Sequence, residues 1–245
     1  MKKIHINCDL GEGATFDAEL MPHISACNIA CGGHAGDEES IRKTIHLAIE
    51  NNVEIGAHPS YPDKENFGRN SLNISAEDLK ASIKKQVKLV QKIAEQKGVK
   101  VTHVKPHGAL YNDAAKNKKI AELVLESLNE VEGDFSLYAP FGSVISKLAE
   151  GKIKVVFEAF ADRNYNPDLS LVSRSKKHAI IHEKEAVFEH VFRMYSEGKI
   201  QMESGEELPI KADTFCVHSD TENAVEILQF LQQKLRDKNV KLAKI

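Results

Sequence analysis

Short apolar runs recur along the chain and alternate with longer stretches in which apolar residues fall every third or fourth position. The runs HINCDL (5–10), ISACNIA (24–30), VEIGAH (53–58), KVTHVK (100–105), FSLYA (135–139), KVVFEAFAD (154–162) and TFCVHSD (214–220) have strand character. Between them the spacing predicts helices. In residues 75–97, Ser75 caps, Asp78 takes the third helical position, Ile74 and Leu79 form a hydrophobic staple, and Leu79, Ile83, Val87, Val90 and Ala94 share one face before Gly98 ends the helix. A second helix is expected from Asp37 to about Asn51, with Ile41, Ile45, Ala48 and Ile49 inward. Others are expected over 113–130, 142–150, 183–198 and 221–238, the last with Asp220 as a candidate cap.

Strands that alternate with helices along the whole chain imply parallel pairing through crossovers. No Gly/Ser/Pro-rich linker divides the 245 residues, so residues 1–245 read as a single domain. A closed barrel and an open doubly wound sheet share this pattern. Several strands, however, end in chemically capable groups, and convergence of many strand C-termini on one site is a property of barrels. The expected fold is an α/β, TIM-like (β/α) barrel of about seven strands, irregular and short of eight full units.

Composition narrows the chemistry. A net charge of −3 without a dense Lys/Arg block argues against nucleic-acid and anionic-membrane partners. Neither a membrane-length apolar run nor an apolar signal segment is seen, so a cytoplasmic location and a small-molecule substrate are expected. Cys8, Cys27, Cys31 and Cys216 lack C-x-x-C spacing and read as reduced, buried thiols; a zinc site from Cys27, Cys31 and His34 would need a sharp turn of the chain.

Asp9 and Glu12 flank a Gly-containing turn, where two carboxylates could share acid and base roles, hold a cation, or merely form an acidic turn. Asn28 precedes CGGHAGD (31–37), which carries His34 in a glycine-rich connector. His58 ends its strand before a loop that reaches Arg69, and such a histidine is a ligand, an acid/base group or a satisfied polar residue. His103, Lys105 and His107 alternate on one strand face, followed by Tyr111. A parallel strand covered by helices has no solvated face, so all three are expected inside the barrel or at its mouth, His103 deepest and structural. Lys105 would clamp a carboxylate or oxyanion, and His107 would act as acid or base. Asp162, Arg163 and Arg174 complete the set, the arginines serving either anion binding or structural ion pairs, and His218 ends the last strand.

In NCDLGEG (7–13), NIACGGHAGD (28–37), IGAHPSYPDKENFGR (55–69), HVKPHGALYN (103–112), FADRNY (160–165), LVSRS (171–175) and CVHSD (216–220), the chain closely resembles the LamB/YcsF lactam-utilisation family. That resemblance implies a cytoplasmic barrel of the glycoside hydrolase/deacetylase type. It also implies ATP-dependent opening of 5-oxoproline to L-glutamate in concert with 5-oxoprolinase subunits B and C. Under it, Asp9 or His58 would activate water, with Glu12 and His34 beside them. His107 would protonate the ring nitrogen, while Lys105, Arg163 or Arg174 would hold anions and Asn28, Arg69, Tyr111 and Asp162 would contact substrate or phosphate. No G-x-x-x-x-G-K-[ST] loop occurs, so ATP is expected at a shared or partner-borne site. Gly33, Asn164, Ser173 and Ser219 stand where the family usually has Phe, Gly, Pro and Gly, and Gly33 is expected to widen the pocket beside His34. Two rival readings are a metal-dependent deacetylase or amidohydrolase, with Asp9, His34 and His58 holding a divalent metal, and a non-catalytic subunit that delivers substrate.

Overall fold

The computed structural model describes residues 2–202 and 204–245. Seven parallel strands close into a barrel: β2 (Ile6–Leu10), β3 (Ala26–Ala30), β4 (Glu54–His58), β5 (Val101–Val104), β6 (Ser136–Pro140), β7 (Val155–Phe160) and β10 (Thr214–His218), in the order β10-β2-β3-β4-β5-β6-β7. The expected seven-stranded barrel is therefore found. The helices around it are α1 (Asp17–Leu20), α2 (Glu38–Glu50), α3 (Ala76–Gln96), α4 (Gly108–Lys116), α5 (Lys118–Asn129), α6 (Val144–Ala149), α7 (Lys184–Glu197) and α8 (Ala224–Asp237). Away from the mouth, β1 (Lys2–Ile4) pairs in parallel with β11 (Val240–Leu242), and β8 (Lys199–Gln201) pairs antiparallel with β9 (Glu207–Pro209). Among the described residues no helix is long and apolar enough to cross a membrane.

Local chemistry sets the helix ends. The Ser75 hydroxyl accepts from the Asp78 N–H, and Asp37 and Ser40 form a reciprocal capping box on α2. The expected face of α3 is buried throughout, from Leu79 to Ala94. On α2, Ile49 departs from expectation: it is 40% exposed, because the buried stripe runs through Ile41, Thr44, Ile45 and Ala48. The single helix expected over 113–130 is two helices. Asn117 ends α4 and caps α5, accepting from the Lys119 and Ile120 N–H groups, so its amide competes with the helical ladder and breaks it. Asp220 does not cap α8, which begins at Ala224 after Asn223.

Inside the barrel the inward positions are polar rather than the branched aliphatics that fill many barrels. Gly56 on β4 explains how so large a ring as His103 fits on the neighbouring strand. A Cβ at Gly56 would lie 2.1 Å from His103 Nε2, so the absent side chain is the space the imidazole occupies. His103 stacks on Tyr138 of β6, centroids 4.1 Å apart, and is the buried structural histidine its depth implied. The four cysteines are free and buried, as expected. Cys27 Sγ points to the Glu54 carbonyl and Cys31 Sγ to that of Ile29, so the conceivable Cys27–Cys31–His34 zinc set does not form.

Candidate active site at the barrel mouth

The floor of the site is an ion network on β2, β5 and β7. Lys105 Nζ lies 2.9 Å from Asp9 Oδ1 and 3.0 Å from Glu158 Oε1, and it also reaches Cys216 Sγ at 3.1 Å. Burial alone would raise the Asp9 carboxyl, but His58 and Lys105 beside it hold it well below the usual carboxylate range. Burial likewise opposes a charged Lys105, and Asp9, Cys216 and Glu158 outweigh it, keeping the ammonium protonated far above its ordinary value. Asn28 donates to Asp9 Oδ1 and Asn7 Oδ1, both at 2.7 Å, and accepts from His103 Nε2. Lys105, expected to clamp an anion, is paired with two internal carboxylates, and Asn28, expected to contact substrate, is fully buried beneath Asp9.

Above this floor sit three histidines and Glu12. His58 Nδ1–H donates to the Lys105 carbonyl at 2.7 Å, and His107 Nε2–H donates to the Phe67 carbonyl at 2.9 Å. The two remaining nitrogens, His58 Nε2 and His107 Nδ1, face each other at 3.0 Å. His34 stacks on His107, centroids 3.6 Å apart and planes within 3°, and its Nε2 meets Glu12 Oε1 at 2.8 Å. Phe67 holds the far side with a left-handed backbone, φ 55°, and this strained conformation aims its carbonyl at His107. Burial and the Asp9 charge push the Glu12 carboxyl up to about 7, while burial and the neighbouring His58 press His34 down to about 2. These groups could hold a cation or move protons near neutral pH. Gly33 does not widen this region: its missing Cβ points at Gln86 and Ser60, where the Gln86 amide pairs with both backbone groups of Ser60.

The other side of the mouth comes from β7, β10 and the segment between β7 and α7. Asp162 is wholly buried. It accepts from the His218 ring Nδ1 at 2.9 Å, from the His218 backbone N–H at 3.0 Å and from Thr221, and although burial opposes ionisation, these partners hold its carboxyl down at about 2. Both its oxygens are thus turned to His218 and Thr221, below the cleft surface. His218 Nε2 makes no hydrogen bond among the described residues, and the ring borders the cleft against Phe160. Arg163 is likewise committed, donating to the Val172 and Ala179 carbonyls. Arg69 and Arg174 share one carboxylate, Asp220, at 2.5 and 3.0 Å, which leaves the rim with an excess of positive charge.

The cleft between these sides holds about 400 Å³, within the range of small-molecule sites. Asp9, Glu12, His58, Lys105, His107, Arg69, Tyr111, Arg163 and Arg174 border it as the sequence grouped them; His34 stands behind Glu12, and Asn28 and Asp162 lie below the surface. Tyr111 is buried against Phe160, and its hydroxyl lacks a hydrogen-bond partner among the described residues. What sequence reasoning missed is the pairing of Asp162 with His218. The strand-end histidine was visible, but its partner lies 56 positions away.

Comparison with known proteins agrees with this architecture. The LamB/YcsF family model matches residues 4–245. The A subunit of 5-oxoprolinase from Haemophilus influenzae (strain PittEE) is 37% identical over 243 residues, covering 99% of each chain. The lactam utilization protein of Thermus thermophilus is 31% identical and superposes over 100% of both chains with a TM-score of 0.92. A family 4 carbohydrate esterase from Streptomyces lividans, 11% identical with a TM-score of 0.50 over 100% of this chain and 93% of its own, shares the fold alone. By this full-length match in sequence and structure, the chain belongs to the LamB/YcsF family.

Proposed function

We propose that this chain opens the lactam ring of 5-oxoproline to give L-glutamate, in an ATP-dependent hydrolysis shared with partner subunits corresponding to 5-oxoprolinase subunits B and C in the cytoplasm. The observation that carries the reading is full-length likeness to relatives named as the A subunit of 5-oxoprolinase. The cleft supports it chemically. An unstrained five-membered amide resists water, so phosphorylation of the amide oxygen by ATP, with release of ADP, makes the ring carbon electrophilic. One water then adds to that carbon, the C–N bond breaks as nitrogen takes a proton, and a second water releases phosphate from the resulting acyl phosphate.

This scheme needs an anion-holding rim, a proton donor for the departing nitrogen and a group to activate water. We assign the rim to Arg69 and Arg174 and the donor role to His218, whose Nε2 is unengaged while Asp162 holds Nδ1. His107, whose Nε2–H is given to the Phe67 carbonyl and whose Nδ1 faces His58 rather than the cleft, suits that donor role less well. Water activation falls to the side of Glu12 and His58. ATP belongs to the partners or to a shared surface.

The test combines the purified chain with subunits B and C, 5-oxoproline and ATP, and measures glutamate and ADP together. Glutamate and ADP should appear in equal amounts in the complete mixture only, and His218→Gln should lower glutamate formation by about 10²–10⁴-fold with assembly intact. No glutamate in the complete mixture, where the corresponding chain of a relative produces it under the same conditions, overturns the assignment.

A further inference from the structure

Hydrogen-bond bookkeeping at the mouth leaves a deficit of one positive charge. A backbone carbonyl can only accept, so the bonds to Lys105 and Phe67 fix the protons of neutral His58 on Nδ1 and of neutral His107 on Nε2. The other two nitrogens then present lone pairs to each other at 3.0 Å, with Glu12 Oε1 at 3.4 Å from His107 Nδ1 and 3.8 Å from His58 Nε2. Three acceptors converging in a buried pocket repel one another unless a cation lies between them.

Their spacing points to what that cation is. Around a tetrahedral Zn²⁺, with bonds near 2.0–2.1 Å, neighbouring ligand atoms sit roughly 3.3 Å apart. The three observed edges of 3.0, 3.4 and 3.8 Å bracket that value. The carbonyl bonds on the far nitrogens are also the outer support that metal-bound imidazoles use to fix tautomer and aim. His34 is excluded as a fourth ligand by orientation. Its ring lies parallel to His107 and 3.6 Å above it, and an ion in the plane of one ring is far out of the plane of the other. Instead His34 Nε2–H donates to Glu12 Oε1 at 2.8 Å and steadies the carboxylate. Asp9 Oδ2 also lies 3.4 Å from His58 Nε2, but this carboxylate is already anchored through Oδ1 by Lys105 and Asn28 and belongs to the floor.

We infer that Glu12, His58 and His107 form a binding site for a divalent transition metal ion, best matched by Zn²⁺, with its fourth position open to the cleft and His34 acting as a positioning residue for Glu12. This set differs from the Asp9–His34–His58 triad that sequence order suggested, because only the fold shows which lone pairs converge. Three protein ligands with one open position is the arrangement of catalytic rather than structural zinc. The site stands on its own geometry, whether or not the lactam is the substrate.

The experiment is a calorimetric titration of the chelator-treated full chain with Zn²⁺, paired with the visible absorption of its Co²⁺ form. One equivalent of Zn²⁺ should bind, with a four-coordinate Co²⁺ spectrum. Affinity should fall roughly 100-fold or more in His58→Ala and Glu12→Gln, and about 10–100-fold in His34→Gln, the size of an outer-shell loss. The exposed-helix control His46→Ala should bind as wild type. Circular dichroism of each variant guards against misfolding, and Glu12→Gln, which keeps shape, decides the matter where an alanine variant is unfolded. Failure of the wild-type chain to bind one equivalent, binding unchanged in folded Glu12→Gln, or an imidazole NMR spectrum in which a proton bridges His58 and His107 even with Zn²⁺ in excess would each overturn the site. None of these readouts depends on 5-oxoproline turnover.

Discussion

The interior network of Asp9, Asn28, His103, Lys105 and Glu158 and the mouth cluster of Glu12, His34, His58 and His107 are both buried, both polar and both carried largely by β2 to β5 and the loops that follow them. They differ in how their charges are balanced, not in hydrogen bonding alone, since both Glu158 oxygens lack a hydrogen-bond partner among the described residues and are met only by the Lys105 charge. In the interior, the Lys105 ammonium has two carboxylates, the Asn28 amide donates to two oxygens and accepts from His103, and Gly56 leaves room for the ring. At the mouth, two imidazole nitrogens confront each other at 3.0 Å, His34 Nδ1 lacks a hydrogen-bond partner among the described residues, and Phe67 sits in a strained backbone conformation. A satisfied polar network holds a fold together; an unsatisfied one costs stability and is kept where a ligand or a reaction completes it.

The largest expected effect that could break this comparison is on stability. Lys105→Met strands two buried carboxylates and should cost about 3–5 kcal/mol in urea denaturation, whereas Glu12→Gln, which removes a charge from an incomplete site, should change stability by less than about 1 kcal/mol. Equal losses from the two variants would erase the distinction.

A smaller effect sharpens it on the opposite side of the cleft. The folded-state Asp162 carboxyl is depressed to about 2 from 3.8, so its stabilisation is complete above about pH 4 and is lost as pH falls through 2. That window holds about 2 kcal/mol, and Asp162→Asn should flatten the acid limb of a stability–pH curve by that amount. The same variant should lower kcat by about 10²-fold or more with KM little changed, because His218 loses the partner that fixes its tautomer. A full acid limb in Asp162→Asn would sever the two residues energetically.

The smallest effect belongs to the exposed rim. Asp220→Asn frees Arg69 and Arg174, whose pairs with it are partly solvated, so stability should move by under about 1 kcal/mol. The freed guanidiniums should lower KM for an anionic substrate a few-fold at low salt, a gain that added salt removes. An unchanged KM at both salt levels would take the rim out of binding.

Individual residues show how far the chain could be read in one dimension. The face of α3 and its Ser75 cap were legible because both are set by neighbours within a few positions. Ile49 was misplaced because it lies at the edge of the apolar stripe, where packing rather than spacing decides burial. The break at Asn117 is not legible in the sequence because an asparagine in a helical pattern signals equally a tolerated polar position and a paired cap. In the site, His58 and His107 were recognisable as strand-end groups, but the orientation of the His34 ring and the capture of Asp162 by His218 depend on partners 56 or more positions away or on ring planes that no spacing encodes.

By itself the sequence determined the alternation of strands and helices, their parallel pairing, and the family to which its ordered motifs belong, since hydrophobic period and turn chemistry are local properties that accumulate along the chain; closure was indicated by the polar strand ends, not by the period. The tertiary structure alone decided which polar groups neutralise one another and which are left facing open space. Closing the barrel brings β2 against β10 and sets both across from β5, with β7 two strands from β5, so Lys105 finds Asp9 and Glu158 while His58 and His107 are pinned by carbonyls from other segments. Hydrogen bonds and ion pairs act over about 3 Å, and only the folded chain sets distances on that scale.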